Sequence, residues 1–180
     1  MNNLDRIISF LAARPRRASI QKNKNAGVAK VLLANRQGPI DDSPDHAGMG
    51  IVVDPFHMIT CAHVVNVALE EEPEEQAQPS DPVKISFPML GDIAVLEAVV
   101  VNWRPPGEMP QDDVAVLKFD RMVPQDVGVA MLADVTGVPT DGDALSIFGV
   151  AGGHRIGTHV DAKFKGSTSA AWIQIDGVDG

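Results

Sequence analysis

A single cysteine, Cys61, stands in 180 residues, so no intrachain disulfide can form. That excludes the staples on which small secreted domains rely and favours a reducing, cytoplasmic setting. Long apolar runs are missing too: none approaches the roughly 20 residues that cross a bilayer, and no membrane partner is expected. Basic residues are few, with 15 Lys and Arg against 24 Asp and Glu and a formal net charge of −9, which argues against binding nucleic acid or an anionic membrane surface. A secretory signal is also lacking. Ile7 to Ala13 is apolar but short, follows Asp5 and runs into Arg14-Pro15-Arg16-Arg17, the wrong polarity order for one. Leu4, Ile7, Ile8 and Leu11 fall at helical spacing, which predicts a short amphipathic helix ended by Pro15 and packed on the domain or on a partner.

What is present reads as β-structure. At 44% hydrophobic content, the chain can bury one sizeable domain or two small lobes. After a basic, aperiodic linker, six runs rich in β-branched residues follow one another between turn clusters: Val28 to Ala34, Gly50 to Val53, His57 to Thr60, Val83 to Pro88, Ile93 to Trp103 and Val114 to Phe119. Six such strands suffice to close a small barrel. Arg121 to Pro139 is a long connection, and Ala144 to Val150, Arg155 to Phe164 and Ala170 to Asp176 form a second set of strands. The predicted division is residues 1–27 as helix and linker, 28–121 as a first barrel and 122–180 as connection and partial second barrel. The acidic run Glu70 to Pro82 lacks the ligand spacing and tight turns of a calcium cage and reads as a solvated loop that discourages edge pairing. No cofactor or metal is expected.

Two strings carry chemistry. Thr60-Cys61-Ala62-His63-Val64-Val65 follows a short apolar strand and a Gly48-Met49-Gly50 turn, and Asp112-Asp113-Val114-Ala115-Val116-Leu117 opens another. In this order they resemble the histidine and aspartate elements of the trypsin-like serine proteases, over roughly Val28 to Gly180. The resemblance implies an all-β, chymotrypsin-like double barrel, with the first barrel complete and the second incomplete, plus the short N-terminal helix. It implies His63 as general base and an aspartate that accepts its Nδ1 hydrogen bond. Two strings of the form Asp-apolar-Ala-Val-Leu compete for that aspartate. Asp113 is favoured because an apolar strand ending in a polar loop delivers it, whereas Asp92 follows Phe87-Pro88-Met89-Leu90-Gly91, which reads as a hairpin turn. Asp112 stands beside Asp113 as a neighbour on the solvent side.

The nucleophile is the departure from the family. Ser146 lies inside a strand pattern, and Ser167 and Ser169 lack the Gly-Gly-Pro turn whose N–H groups form an oxyanion hole. Cys61, two residues before His63, is expected to face away from it and to be no nucleophile, and no cysteine follows His63 to form a disulfide there. The closing run from Ser167 to Gly180 is similar to the strand that leads into the serine loop of bacterial members. The expectation is therefore a serine endopeptidase truncated before its serine and inactive alone, acting on polypeptide once completed. The alternatives are a non-catalytic module that binds peptide by strand addition, and one half of a split protease completed by a partner chain. The cytoplasmic bacterial branch, often fused to other domains, is the nearest in character.

Overall fold

The computed structural model describes residues 27–34, 46–91, 94–109, 112–131, 139–150, 157–167 and 173–177. The expected N-terminal helix, the linker after it, Asp92 and Ser169 lie outside the described residues.

Six strands, β1 (Val28–Leu32), β2 (His46–Asp54), β3 (His57–Thr60), β4 (Val83–Ser86), β5 (Val95–Arg104) and β6 (Val114–Phe119), close into a barrel in the order β1-β2-β3-β6-β5-β4. All neighbours are antiparallel. Residue alternation builds the interior: Leu96, Ala98 and Val100 of β5 point inward while Val95, Glu97 and Val99 are exposed, the period-2 pattern of a strand with one wet face. Phe87, Met58, Ile85, Leu117, Val31 and Val52 are almost wholly buried in one core. An irregularity in the β5–β6 pairing between Val100 and Asn102 re-aims the end of β5, as bulges at barrel rims do.

Of the boundaries that differ from the sequence reading, two do so for evident local reasons. Strand β4 stops at Ser86, and Pro88–Leu90 forms a 3₁₀ turn closed by Gly91 at φ 73°; Pro88 has no N–H to extend a ladder. Strand β2 starts at His46, and its glycine-bearing first half pairs with β1. The helix α1 (Ala62–Ala68) was not foreseen at all. Its Val64, Val65 and Ala68 join the barrel core, and Ala34 N–H donates to the Ala68 carbonyl at 2.9 Å.

The connection after β6 packs on the first barrel. Val123 and Val127 are buried in its core, and Ala130 N–H donates to the Val52 carbonyl at 2.8 Å. A second, three-stranded antiparallel sheet follows, β7 (Ala144–Gly149), β8 (Thr158–Ser167) and β9 (Ile173–Gly177), in the order β7-β8-β9. Its register sorts the side chains. Leu145, Ile147, Val160, Ala162, Phe164 and Ile175 share one face, while Ser146, His159, Asp161, Lys163 and Asp176 share the other. On the apolar face Ala162 and Phe164 are buried, but Ile147, Val160 and Ile175 are 40%, 51% and 40% exposed. Among the described residues, no helix is long and apolar enough to cross a membrane.

Candidate active site

The site begins where β3 ends. Thr60 Oγ1 donates to the Met49 carbonyl at 2.9 Å, fixing the strand end against β2. Gly50 faces Thr60 in the register; a Cβ there would collide with the Met58 side chain and lie 2.8 Å from the Ile59 carbonyl oxygen. A Cβ on Gly48 would lie 2.5 Å from Val64 Cγ2. These two glycines therefore let β3 and α1 seat closely on β2. Cys61 occupies the N-cap of α1 in extended conformation, Ala62 is fully buried, and His63 emerges on the first turn with its side chain 47% exposed. His63 is thus a helix residue rather than the strand-end residue the sequence suggested.

Asp113 arrives from the loop between β5 and β6. Its backbone is left-handed, φ 61°, a conformation that aspartate tolerates better than most residues. Asp113 N–H donates to the Pro105 carbonyl and Asp112 N–H to the Met109 carbonyl, each at 2.9 Å. Asp112 Oδ2 in turn accepts from Met109 N–H at 3.2 Å. Asp112 thus braces the loop, and a Cβ on Gly107 would lie 2.5 Å from its carboxylate. The far side is held by the acidic segment: Gln76 Nε2 donates to the Pro106 carbonyl and Trp103 Nε1 to the Gln76 carbonyl, both at 3.0 Å. Asn66, on α1, donates from Nδ2 to the carbonyls of Pro73 and Glu75 at 2.9 and 3.1 Å. The acidic side chains are exposed as expected, yet the segment's backbone is strapped to the site's two supports. Sequence reading missed Asn66 and Gln76 because an exposed run of acids gives no sign of where its carbonyls bond.

The structure brings His63 and Asp113 together. Asp113 Oδ2 lies 2.7 Å from His63 Nδ1, and Asp113 Oδ1 accepts the His63 backbone N–H at 2.8 Å. With both carboxylate oxygens engaged, the ring is oriented and its proton drawn to Nδ1, which leaves Nε2 as the acceptor. No other hydrogen bond is made by the His63 ring among the described residues.

Cys61 does not face away. Its sulfur, a His63 ring nitrogen and an Asp113 carboxylate oxygen all lie within 4.8 Å of one another, because the N-cap turn swings the thiol toward the same carboxylate that clasps His63. Cys61 is exposed as a residue, yet partial desolvation of its thiol, then the Asp113 charge and a hydrogen bond to that carboxylate, raise the thiol's pKa above its ordinary value.

The described serines that follow Asp113 in sequence lie on the second sheet. Ser146 is on β7, with Oγ 3.2 Å from His159 Nδ1 on the polar face of the second sheet, and Ser167 ends β8. A second His–Asp pair, not foreseen, sits at the β2–β3 turn: His57 Nδ1 is 2.8 Å from Asp54 Oδ2, and Asp54 Oδ1 accepts Phe56 N–H at 2.7 Å. Asp54 is buried there and pins its own turn; Asp-Pro-Phe-His was the available signal for such an Asx-type clamp.

No family model matches the sequence, and the search of curated proteins found no relative. Solved structures do match. Kallikrein-related peptidase 10 in complex with Zn2+ superposes at a TM-score of 0.55 with 13% identity, covering 82% of this chain and 61% of that one. The scabies mite inactivated protease paralogue S-D1 superposes at 0.53 with 14% identity, covering 81% and 61%. This chain thus spans about 61% of the length of either neighbour. Both likenesses, with the closed barrel and the second sheet, show a chymotrypsin-like fold.

Proposed function

We propose that this chain is the histidine- and aspartate-bearing part of a trypsin-like serine endopeptidase that hydrolyses peptide bonds in polypeptide substrates. The observation that carries the reading is the two-point clasp of His63 by Asp113, through Nδ1 at 2.7 Å and through the backbone N–H at 2.8 Å. His63 Nε2 would take the proton of a serine hydroxyl as it attacks the scissile carbonyl, and return it to the leaving amine. Asp113 would hold the tautomer and stabilise the imidazolium between those steps. The serine, its oxyanion donors and the specificity pocket belong in this reading to a segment beyond these 180 residues, continuous in the same polypeptide or supplied by a partner chain. Two observations support that reading: the match covers only 61% of either neighbour, and the apolar face of β7, β8 and β9 is only partly covered. We place the division at residues 28–121 and 122–180, and the working compartment in the cytoplasm.

The test is labelling with a fluorophosphonate alongside peptide hydrolysis. The chain of 180 residues alone should remain unlabelled, and the product of the extended reading frame, or a complex with a complementing chain, should label and cleave. In that active form Asp113→Asn should lower turnover by about 10⁴. Labelling of the chain by itself, or wild-type turnover of the Asp113→Asn protein, would overturn the assignment. A second reading has its own support in the inactivated paralogue among the neighbours and in β9, which pairs on one side only among the described residues: a non-catalytic module that binds an extended peptide by strand addition. Saturable peptide binding, with no labelling in any completed form, would favour it.

A further inference from the structure

We infer that Cys61, His63 and Asp113 form a three-ligand site for a divalent cation of the zinc class, and that occupancy switches off the base. The donors are of three kinds, a thiol sulfur, an imidazole nitrogen and a carboxylate oxygen, and all lie within 4.8 Å of one another. Around tetrahedral zinc, with bonds of about 2.0 to 2.3 Å, donor atoms stand roughly 3.3 to 3.8 Å apart. The cluster is therefore within small side-chain adjustments of a coordination shell. A thiolate ligand selects zinc and other thiophilic ions over calcium and magnesium, which take oxygen donors. Three protein ligands leave a fourth position for water or an external group.

The surroundings suit the assignment. Cys61 is exposed and the His63 and Asp113 side chains are 47% and 30% exposed, so a hydrated ion has a path in. Asp113 is oriented from behind by the His63 N–H and by the Pro105 carbonyl that holds its own backbone, the kind of outer support that fixes metal ligands. On binding, the Cys61 thiol releases its proton to solvent, the cation exchanges waters for the three side chains, and no electron changes hands.

Exclusion of function follows from the same atoms. The bond between His63 Nδ1 and Asp113 Oδ2 at 2.7 Å occupies two of the donors. A cation must replace the proton between them, or turn the ring to take Nε2. Either way His63 loses the arrangement that general-base action requires. This last step rests on the proposed protease reading; the binding itself does not.

Cobalt(II) titration of the purified chain under a non-chelating reductant tests the site directly. One equivalent should produce a thiolate-to-cobalt charge-transfer band in the near ultraviolet with visible bands of tetrahedral intensity, and zinc should displace both. Cys61→Ser should abolish the charge-transfer band, and His63→Ala should weaken zinc binding at least tenfold in a chelator competition, while Ser146→Ala changes neither. In the unmodified protein, one equivalent of zinc should slow alkylation of Cys61 by iodoacetamide at least tenfold, a readout that needs no variant to fold. Absence of the charge-transfer band, or zinc affinity unchanged in both Cys61→Ser and His63→Ala, would overturn the site. Zinc binding as described without loss of hydrolysis in the completed enzyme would overturn the switch and leave the site standing.

Discussion

The first barrel and the second sheet are built from similar strands, yet they solve the burial problem differently. In the barrel every strand pairs on both sides, and the inward residues of all six meet in one core. In the three-stranded sheet, β7 and β9 each pair on one side among the described residues, and an apolar face keeps Ile147, Val160 and Ile175 at 40%, 51% and 40% exposure. Closure removes edges and supplies a complete interior; an open sheet leaves both to be completed. His63, Cys61 and Asp113 are positioned from the first-barrel region: the end of β3, the first turn of α1, the β5–β6 loop and the acidic segment strapped to both. The catalytic geometry in this reading is therefore preorganised by the closed barrel and the connection packed on it, which is where a site gains rigidity.

The largest expected effect tests that contrast by deletion. Phe87, wholly buried between β4 and the 3₁₀ turn and 6.3 Å in ring centroid from Phe119, should cost about 3 to 5 kcal/mol when replaced by alanine. Ile175→Ala on the half-exposed face should cost less than about 1 kcal/mol. Urea unfolding of the two variants measures both, and comparable losses would show that the sheet is as fully packed as the barrel. The next effect is kinetic. Amide protons of β3 and β6 should outlast those of β7 and β9 by about a hundredfold or more in native-state hydrogen exchange, because sub-global opening begins where few apolar contacts hold the backbone. Equal protection across the two regions would erase the distinction.

The contrast also separates what the sequence made legible from what it hid. Strands β3 and β6 were readable to the residue, since His57–Thr60 and Val114–Phe119 are short β-branched runs bounded by turn chemistry. His63 and Asp113, 50 positions apart, could be paired only through a resemblance, because strand periodicity says nothing of which loop meets which helix. Helix α1 was hidden for a physical reason: Ala62-His63-Val64-Val65-Asn66-Val67-Ala68 is as β-branched as its neighbours, and seating on β1 and β2 overrides that propensity. The expectation that Cys61 faces away from His63 failed for a different reason: residues two apart in an extended chain share a face, so the pleat already argued for the proximity that the N-cap position also allows. The bonds of Asp112 and Asn66 were beyond reach although their partners lie only three to nine residues away, since those partners are backbone atoms of irregular loops whose course no periodicity reveals.

The smallest expected effect concerns Cys61 and joins the comparison to the chemistry. Its thiol is held above the ordinary range first by burial, then by the Asp113 charge and hydrogen bond, so at pH 8 it should carry less thiolate than a free cysteine and alkylate several-fold more slowly. The sign for stability follows from the same shift. The folded chain holds this proton more tightly than the unfolded chain, so the thiol has no effect near neutrality and lowers stability as pH rises through and above the usual thiol range near 8.5. Asp113→Asn removes the charge and keeps the burial, and should therefore recover part of the alkylation rate and not all of it. Ile175→Ala should leave the rate unchanged, because β9 contributes nothing to the cluster. A rate that responds to Ile175→Ala as strongly as to Asp113→Asn would mean that the open sheet reaches into the site, and the division between a closed barrel and an open sheet would fail at its most sensitive point.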